Sequence, residues 1–235
     1  MTNRGELRTM VRLRLGDVAE APILTDTQLN QWINDSIREY SVHFPRQAEL
    51  RFACSAGERE YTLDGRTDES GEMVLGTRAV WRVAYLIGEN PPQILLRRSE
   101  LDGRGFSGEL VYDVQQSPQF TLILGPLPRG TETIGVIVLC DHPLLDQDAD
   151  VLSLPEHHLE LVILFIRLLA LQELAASEAC DPSSTGVILT GLTTMLSHAK
   201  DDYTTTLAMY QKRSSPGGFM TSWGSEIDVG EGSEG

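Results

Sequence analysis

Three short stretches of the sequence carry side chains that could do chemistry, and the first is PEHHLE at residues 155–160. His157 and Glu160 are three residues apart, which places them on one side of a helix. A metal ion needs three or four converging ligands, each oriented by a further hydrogen bond. Because the rest of such a set and an HExxH motif are missing, PEHHLE predicts the polar first turn of a helix. A metal-dependent hydrolase using His157, His158 and Glu160 is the least favoured alternative.

The other two stretches are CDHP at residues 140–143 and DQDAD at residues 146–150. Neighbouring residues of a strand point to opposite faces, so Cys140, Asp141 and His142 should not converge on one ion. The alternating aspartates of DQDAD resemble part of a calcium loop, but the glycine and the terminal glutamate of that motif are missing. The sequence also contains no phosphate-binding loop, dinucleotide-binding fingerprint or nucleophile elbow. It therefore predicts no catalytic residue, no metal site and no cofactor, and we expect the protein not to be an enzyme.

The composition excludes several classes of protein. The chain has 235 residues, a net charge of −15 and 41% hydrophobic residues, as in a soluble globular protein with one large domain or a core with one insertion. Such an acidic chain is a poor candidate for wrapping nucleic acid, because phosphate contacts need Lys and Arg. It could instead line a passage through which DNA moves without sticking.

Cysteine spacing and hydropathy indicate the compartment. The chain has an odd number of cysteines, and the spacing of these residues, Cys54, Cys140 and Cys180, matches no metal-binding pattern. Thiols in a reducing compartment are therefore the favoured interpretation. The first ten residues contain no apolar signal segment, and the most apolar run, residues 161–171, is interrupted by Arg167. We therefore expect a soluble protein made in the cytosol that has no membrane partner.

Apolar residues at helical spacing predict four helices, two at each end of the chain. The second helix begins at Thr25, which fits a capping box with Gln28, and it ends before Pro45. The third and fourth helices are predicted over residues 155–179 and 186–212. The short link between them predicts an antiparallel helical hairpin.

Between the helices, from residue 46 to residue 152, the pattern changes to short runs rich in Val, Ile, Leu, Phe and Tyr. Clusters of Gly, Pro, Asp and Ser separate these runs, which is typical of antiparallel strands joined by tight connections. We expect six or seven strands in an antiparallel sheet, a small sandwich or an open barrel. The predicted fold class is therefore α+β, with a four-helix bundle formed by residues 1–45 and 153–213 and an inserted β domain at residues 46–152.

Seven apolar side chains are predicted to form the core of the bundle. The second helix has an apolar face that should close against residues 159–174 of the third helix. The third helix is apolar most of the way round, so one partner helix would not cover it. The predicted core residues are Leu29, Trp32, Ile33, Ile37, Leu161, Phe165 and Leu168.

Two further segments are candidate docking surfaces. Arg4, Arg8 and Arg12 form a basic stripe on the first helix, which is either a solvated face or a surface for an acidic partner. Residues 214–235 carry four acids and no basic residue, and should be disordered when alone. We interpret this segment as an extended arm that docks on another chain, for example as an added strand, although it could also pack on its own chain. The apolar anchors of this arm are Phe219, Met220, Trp223, Ile227 and Val229.

The order of these segments, together with a diffuse set of residues, resembles one known family. The set comprises Leu7, RLRLGD (12–17), TDTQLNQWIND (25–35), Pro45, AGEREYTL with Gly57 and Tyr61, LILGPLP (122–128), HPLLD (142–146), LSLPE (152–156), and Asp181 with Pro182. With these residues, nearly the whole chain resembles the head-to-tail adaptor, or connector, proteins of tailed bacteriophages, including the tail-tubular type.

The resemblance implies a structural virion protein, made in the host cytoplasm, that forms a homo-oligomeric ring of about twelve copies under the portal. The helices would face the portal or neighbouring copies, and the β insertion would meet tail, nozzle or other neck proteins. DNA would pass through the ring without sequence-specific binding. The arm would dock on the portal protein. The alternative is a carbohydrate- or receptor-binding accessory protein that uses aromatic residues of the β insertion, namely Trp81, Tyr85, Phe106 and Tyr112.

Overall fold

The computed structural model describes residues 2–17, 24–86, 93–97, 111–116, 119–125, 127–180 and 186–213. The four predicted helices are present as α1 (Arg4–Leu15), α2 (Asp26–His43), α3 (Leu159–Cys180) and α4 (Gly186–Arg213), and a short 3-10 helix (Glu156–His158) precedes α3. Seven strands lie between α2 and α3: β1 (Arg46–Ala53), β2 (Glu60–Thr62), β3 (Ala79–Leu86), β4 (Gln93–Arg97), β5 (Val111–Gln115), β6 (Thr121–Leu124) and β7 (Thr133–Cys140). The fold class is α+β, as the sequence predicts.

Local sequence signals fix where the first two helices begin and end. The Asn3 and Thr25 side chains cap α1 and α2 in reciprocal capping boxes, each with the residue three positions further on. α1 ends at Gly16, whose φ of 72° lies in the left-handed region that glycine adopts without strain. α2 ends before Pro45, because proline disfavours helical geometry in the residue that precedes it.

The strands form one curled seven-stranded sheet in the order β1-β7-β3-β4-β5-β6-β2. Its inward side chains make a single apolar core that includes Leu50, Leu122, Ile134 and Val136. Among the described strands, all pairs but one are antiparallel. The exception is β4 with β5, which run parallel, so the prediction of a purely antiparallel sheet is wrong. Alternation of apolar residues does not encode strand direction, and residues 98–110 are numerous enough for the crossover that a parallel pair needs.

α3 lies between two sets of apolar contacts on opposite sides of its axis. Val162, Ile166 and Ala170, spaced four residues apart, face α1 and α2 in the larger helical core. Leu161 and Leu168 lie in two smaller clusters that α4 helps to form. α1 and α2 therefore pack mainly on one side of α3 and α4 packs on the other, while the C-terminal end of α2 also meets α4 through Tyr40.

A four-helix bundle is consequently not confirmed. A single four-sided core would place side chains of all four helices together, whereas the core of α1, α2 and α3 contains none from α4. The sequence shows that α3 is apolar most of the way round, but periodicity does not identify which neighbours cover each side. Both of those sides are covered by helices of this chain.

The seven predicted core residues divide among these clusters. Those of α2 lie in the larger helical core, while those of α3 lie in the clusters next to α4, with Phe165 only partly buried there. Leu145 and Leu152 also pack in the larger helical core, although they precede residue 153. The α2 residues are Leu29, Trp32, Ile33 and Ile37, and the α3 residues are Leu161, Phe165 and Leu168.

Candidate interaction surfaces

The side chains of the three stretches with possible chemistry make contacts within the chain. In the described parts of the chain, no three His, Cys, Asp or Glu side chains are grouped so that they could hold a metal ion. The residues of CDHP diverge: the Cys140 thiol donates to the Arg46 carbonyl at 3.6 Å, while Asp141 pairs with Arg78 at 2.7 Å. His142 is buried and bonds elsewhere. The alternation expected at the end of a strand accounts for this divergence.

His142 joins the sheet to the helices. Its backbone N–H donates to Ser41 Oγ in α2 at 3.0 Å. Its Nε2–H donates to the carbonyl of Phe44 at 3.0 Å, which leaves Nδ1 to accept from Ser153 Oγ at 2.7 Å. Burial lowers the pKa of His142 to about 4, so the ring is neutral at pH 7. The sequence gives no signal for this role, because the three partners are distant along the chain.

A second junction of polar and aromatic side chains ties α2, the 3-10 helix and α4 together. The Tyr40 hydroxyl bonds to His158 Nδ1, and the Tyr210 hydroxyl donates to the His157 carbonyl at 2.6 Å. Burial lowers the pKa of His158, and the neighbouring His157 lowers it further. PEHHLE is thus the polar first turn that we expected, with one of its histidines turned into the protein.

The basic stripe of α1 meets carboxylates of the same chain. Arg4 and Arg8 both bind Asp148, at 3.0 and 2.8 Å, and Arg12 binds Asp26 at 2.7 Å and pairs with Asp17. Hydrogen bonds from Arg8 and Arg4 lower the pKa of the Asp148 carboxyl. Side chains of the stripe are only 12% to 18% exposed, so most of each guanidinium is already engaged within the chain. DQDAD therefore anchors the N-terminal helix, and docking of an acidic partner on the stripe stays a prediction.

The aromatic residues of the β insertion do not form a sugar-binding surface in the described parts of the chain. Tyr85 and Tyr112 are buried in the core of the sheet. Trp81 is 43% exposed, beside a register shift in β3, and Phe106 lies outside the described residues. A carbohydrate site needs several exposed aromatic faces beside polar groups, so this arrangement does not favour the alternative function.

Comparison with protein families decides the identity. The family model of the SU10 adaptor protein matches residues 2–215, which include every helix and strand described above. The chain belongs to the SU10 adaptor protein family. No curated protein matches the chain significantly. The resemblance to phage head-to-tail adaptors is confirmed by this match.

Membership of the SU10 adaptor protein family identifies the class of function. The chain is a phage adaptor protein, and its family indicates a structural component of the virion that interacts with head and tail components. Among the described helices, none is long and apolar enough to cross a membrane. The predicted arm, residues 214–235, lies outside the described residues and almost entirely beyond the matched range.

For an adaptor, the exposed apolar side chains of α4 are the most relevant surface. Val187 is 82% exposed, Ile188 50%, Met195 49% and Met209 42%. Helical spacing places Met195 four residues before the buried Ala199, yet the Met195 side chain is half exposed. Ile188 and Met195 lie on a flank of α4 beside its buried face. Two adjacent apolar faces on one helix were the signal that could have identified this surface.

Proposed function

We propose that this adaptor assembles into a ring of about twelve identical copies that joins the portal to the tail and encloses part of the DNA exit channel. The observation that carries the proposal is the family match over residues 2–215. The net charge of −15 supports the channel, because an acidic lining repels phosphates and lets DNA pass without binding. The helices would face the portal or neighbouring copies, and the β insertion would face tail or nozzle proteins.

The portal contact is assigned to the C-terminal arm, residues 214–235. Because the family match ends at residue 215, this role rests on the composition of the arm. Five large apolar residues are spaced among glycines, serines and four acids. Such a segment can bury separate anchors on a partner while the rest of its backbone remains extended. The five anchors are Phe219, Met220, Trp223, Ile227 and Val229.

The test is the native mass of the adaptor alone and mixed with the portal ring of the same virus. The expected result is a complex of the portal with about twelve adaptor copies. Deleting residues 214–235 should abolish or strongly weaken this attachment while the thermal melting of the adaptor is unchanged. An adaptor that never attaches to the portal would refute the proposed position in the virion, whatever its oligomeric state.

A matched pair of variants separates the two chemical features of the arm. In one variant the five apolar anchors become serine, and in the other the four acids, Glu226, Asp228, Glu231 and Glu234, become their amides. Loss of attachment only in the serine variant is the expected result, because apolar anchors supply most of the binding energy in such contacts. Full attachment of the serine variant would refute the docking role of the arm.

A further inference from the structure

α4 has the largest group of exposed apolar side chains on any described helix. Four large apolar residues of α4 are at least 42% exposed, whereas α1, α2 and α3 each have one such residue. Three of the four lie in the N-terminal half of α4. Soluble chains seldom leave several large apolar side chains exposed together unless the surface binds something.

The same half of α4 is free of charge. Residues 186–199 contain no Asp, Glu, Lys or Arg, and the first charged residue of α4 is Lys200. The chain as a whole carries a net charge of −15, so two copies repel each other over most of their surfaces. An apolar surface without charge is where two identical acidic chains can approach with the least electrostatic cost and the largest gain from burial.

The position of α4 in the fold exposes this surface to a neighbour. α4 lies on the outer side of α3, because it contributes no side chain to the core that α1, α2 and α3 share. α1 packs in the larger helical core, to which α4 does not contribute, and its Leu13 is 77% exposed. A ring of identical subunits needs two different surfaces on each copy, so that one surface of each subunit meets the other surface of the next.

We propose that the uncharged half of α4, residues 186–199, binds a second copy of this chain at the flank of α1 that presents Leu13. Val187, Ile188 and Met195 supply the apolar contacts from α4, and Leu13 enters them from the neighbouring copy. The proposal rests on the ring of the proposed function and names the surfaces that close it. Neither surface uses the arm, so contact between copies and contact with the portal are separable.

The test introduces a negative charge into each surface. Ile188→Glu and Met195→Glu in α4, and Leu13→Glu in α1, should each weaken association between copies by about tenfold or more, because a carboxylate would lose its hydration in an apolar contact. The three side chains are exposed, so the isolated variants should melt like the wild type. The matched control is Thr205→Glu, which adds the same charge to an exposed position of α4 beyond Asp201 and Asp202.

Sedimentation velocity over a concentration series, and native mass with and without the portal ring, provide the readouts. Fewer copies per assembly for Ile188→Glu, Met195→Glu and Leu13→Glu, with Thr205→Glu unchanged, would support the proposal. Assemblies of full size from the α4 variants would overturn it. So would full-size assemblies that fail only to bind the portal, because the α4 surface would then belong to the portal contact.

Failure of the proposed function gives a different result. An adaptor that self-associates through α4 but ignores the portal would refute the position in the virion and leave the contact between copies standing. An adaptor that remains monomeric both alone and with the portal would overturn both. Deletion of residues 214–235 should leave the concentration dependence of self-association unchanged, whereas it should remove the portal complex.

Discussion

Mild acid should destabilise the folded adaptor through His142. Burial lowers the pKa of this residue from 6.5 to about 4, and the positive charge of Arg46 adds to the effect, while the hydrogen bond to Phe44 and the charge of Asp141 oppose it. Both ring nitrogens are engaged in the neutral form, with Nε2–H donating to Phe44 and Nδ1 accepting from Ser153. A proton on Nδ1 would remove the acceptor for Ser153 and place a charge where the sheet meets the helices.

The direction of the pH effect follows from the difference in the pKa of His142 between the folded and unfolded states. Because folded His142 binds its proton less tightly than the unfolded chain does, its contribution to stability is complete above pH 6.5 and is lost as the pH falls toward 4. A pKa difference of roughly 2.5 corresponds to about 3 kcal/mol of unfolding free energy. About 2 kcal/mol of this should be lost between about pH 7.5 and about pH 5. Carboxyl groups titrate mainly below this pH interval, so histidines account for most of the change in stability within it.

Urea denaturation of wild type, His142→Gln and His198→Gln over this interval measures the effect. His142→Gln should be less stable at pH 7.5, since one side chain cannot replace both ring contacts, but its stability should fall about 2 kcal/mol less on acidification. His198 lies exposed on α4, and His198→Gln should retain the wild-type pH dependence. Equal pH dependence of wild type and His142→Gln would refute the reasoning. His158, whose pKa is also lowered, accounts for any slope that remains in His142→Gln.

Two further predictions concern the helices. Trp32→Ala should destabilise the chain by about 3–5 kcal/mol, because Trp32 is only 7% exposed in the core of α1, α2 and α3; a melting temperature equal to that of the wild type would contradict this burial. Asp148→Asn should speed amide exchange in α1, since it weakens the contacts of Arg4 and Arg8, while Asp35→Asn, which weakens an exposed pair with Arg38, should not. Exchange that is equally slow in both variants would contradict this prediction and show that backbone contacts hold α1 in place without the Asp148 side chain.

Most of the secondary structure could be read from the sequence because its signals are local. The capping box at Thr25, the glycine after α1 and the proline after α2 each act within a few residues. The short apolar runs between residues 46 and 152 correspond to strands for the same reason, and the described residues contain seven where six or seven were expected. The parallel pairing of β4 with β5 was missed, because direction depends on the path of the connection and not on the composition of either strand.

The polar junctions could not be predicted, because each joins segments that are far apart in the chain. His142 bonds to residues 98 positions before it and 11 positions after it, and Tyr40 meets His158 across 118 positions. Pattern reasoning can exclude a metal site from missing ligands, but it cannot supply the partner that makes a buried histidine structural. The basic stripe shows the same limit, since its partner Asp148 lies 140 positions beyond Arg8.

The position of α3 changes where contacts between copies should be sought. The sequence predicts that one partner helix cannot cover α3, and in the structure α1 and α2 cover one side of α3 and α4 covers the opposite side. The exposed side of α4 is then the surface that a neighbouring copy of the chain would contact. α4 is in turn connected to the sheet by a chain of contacts. Tyr210 binds the 3-10 turn that contains His158, and His158 bonds to Tyr40. The Tyr40 ring then packs against the His142 ring, with 5.3 Å between the ring centroids. A neighbour that displaced α4 would therefore shift the junction between the helices and the β strands as well.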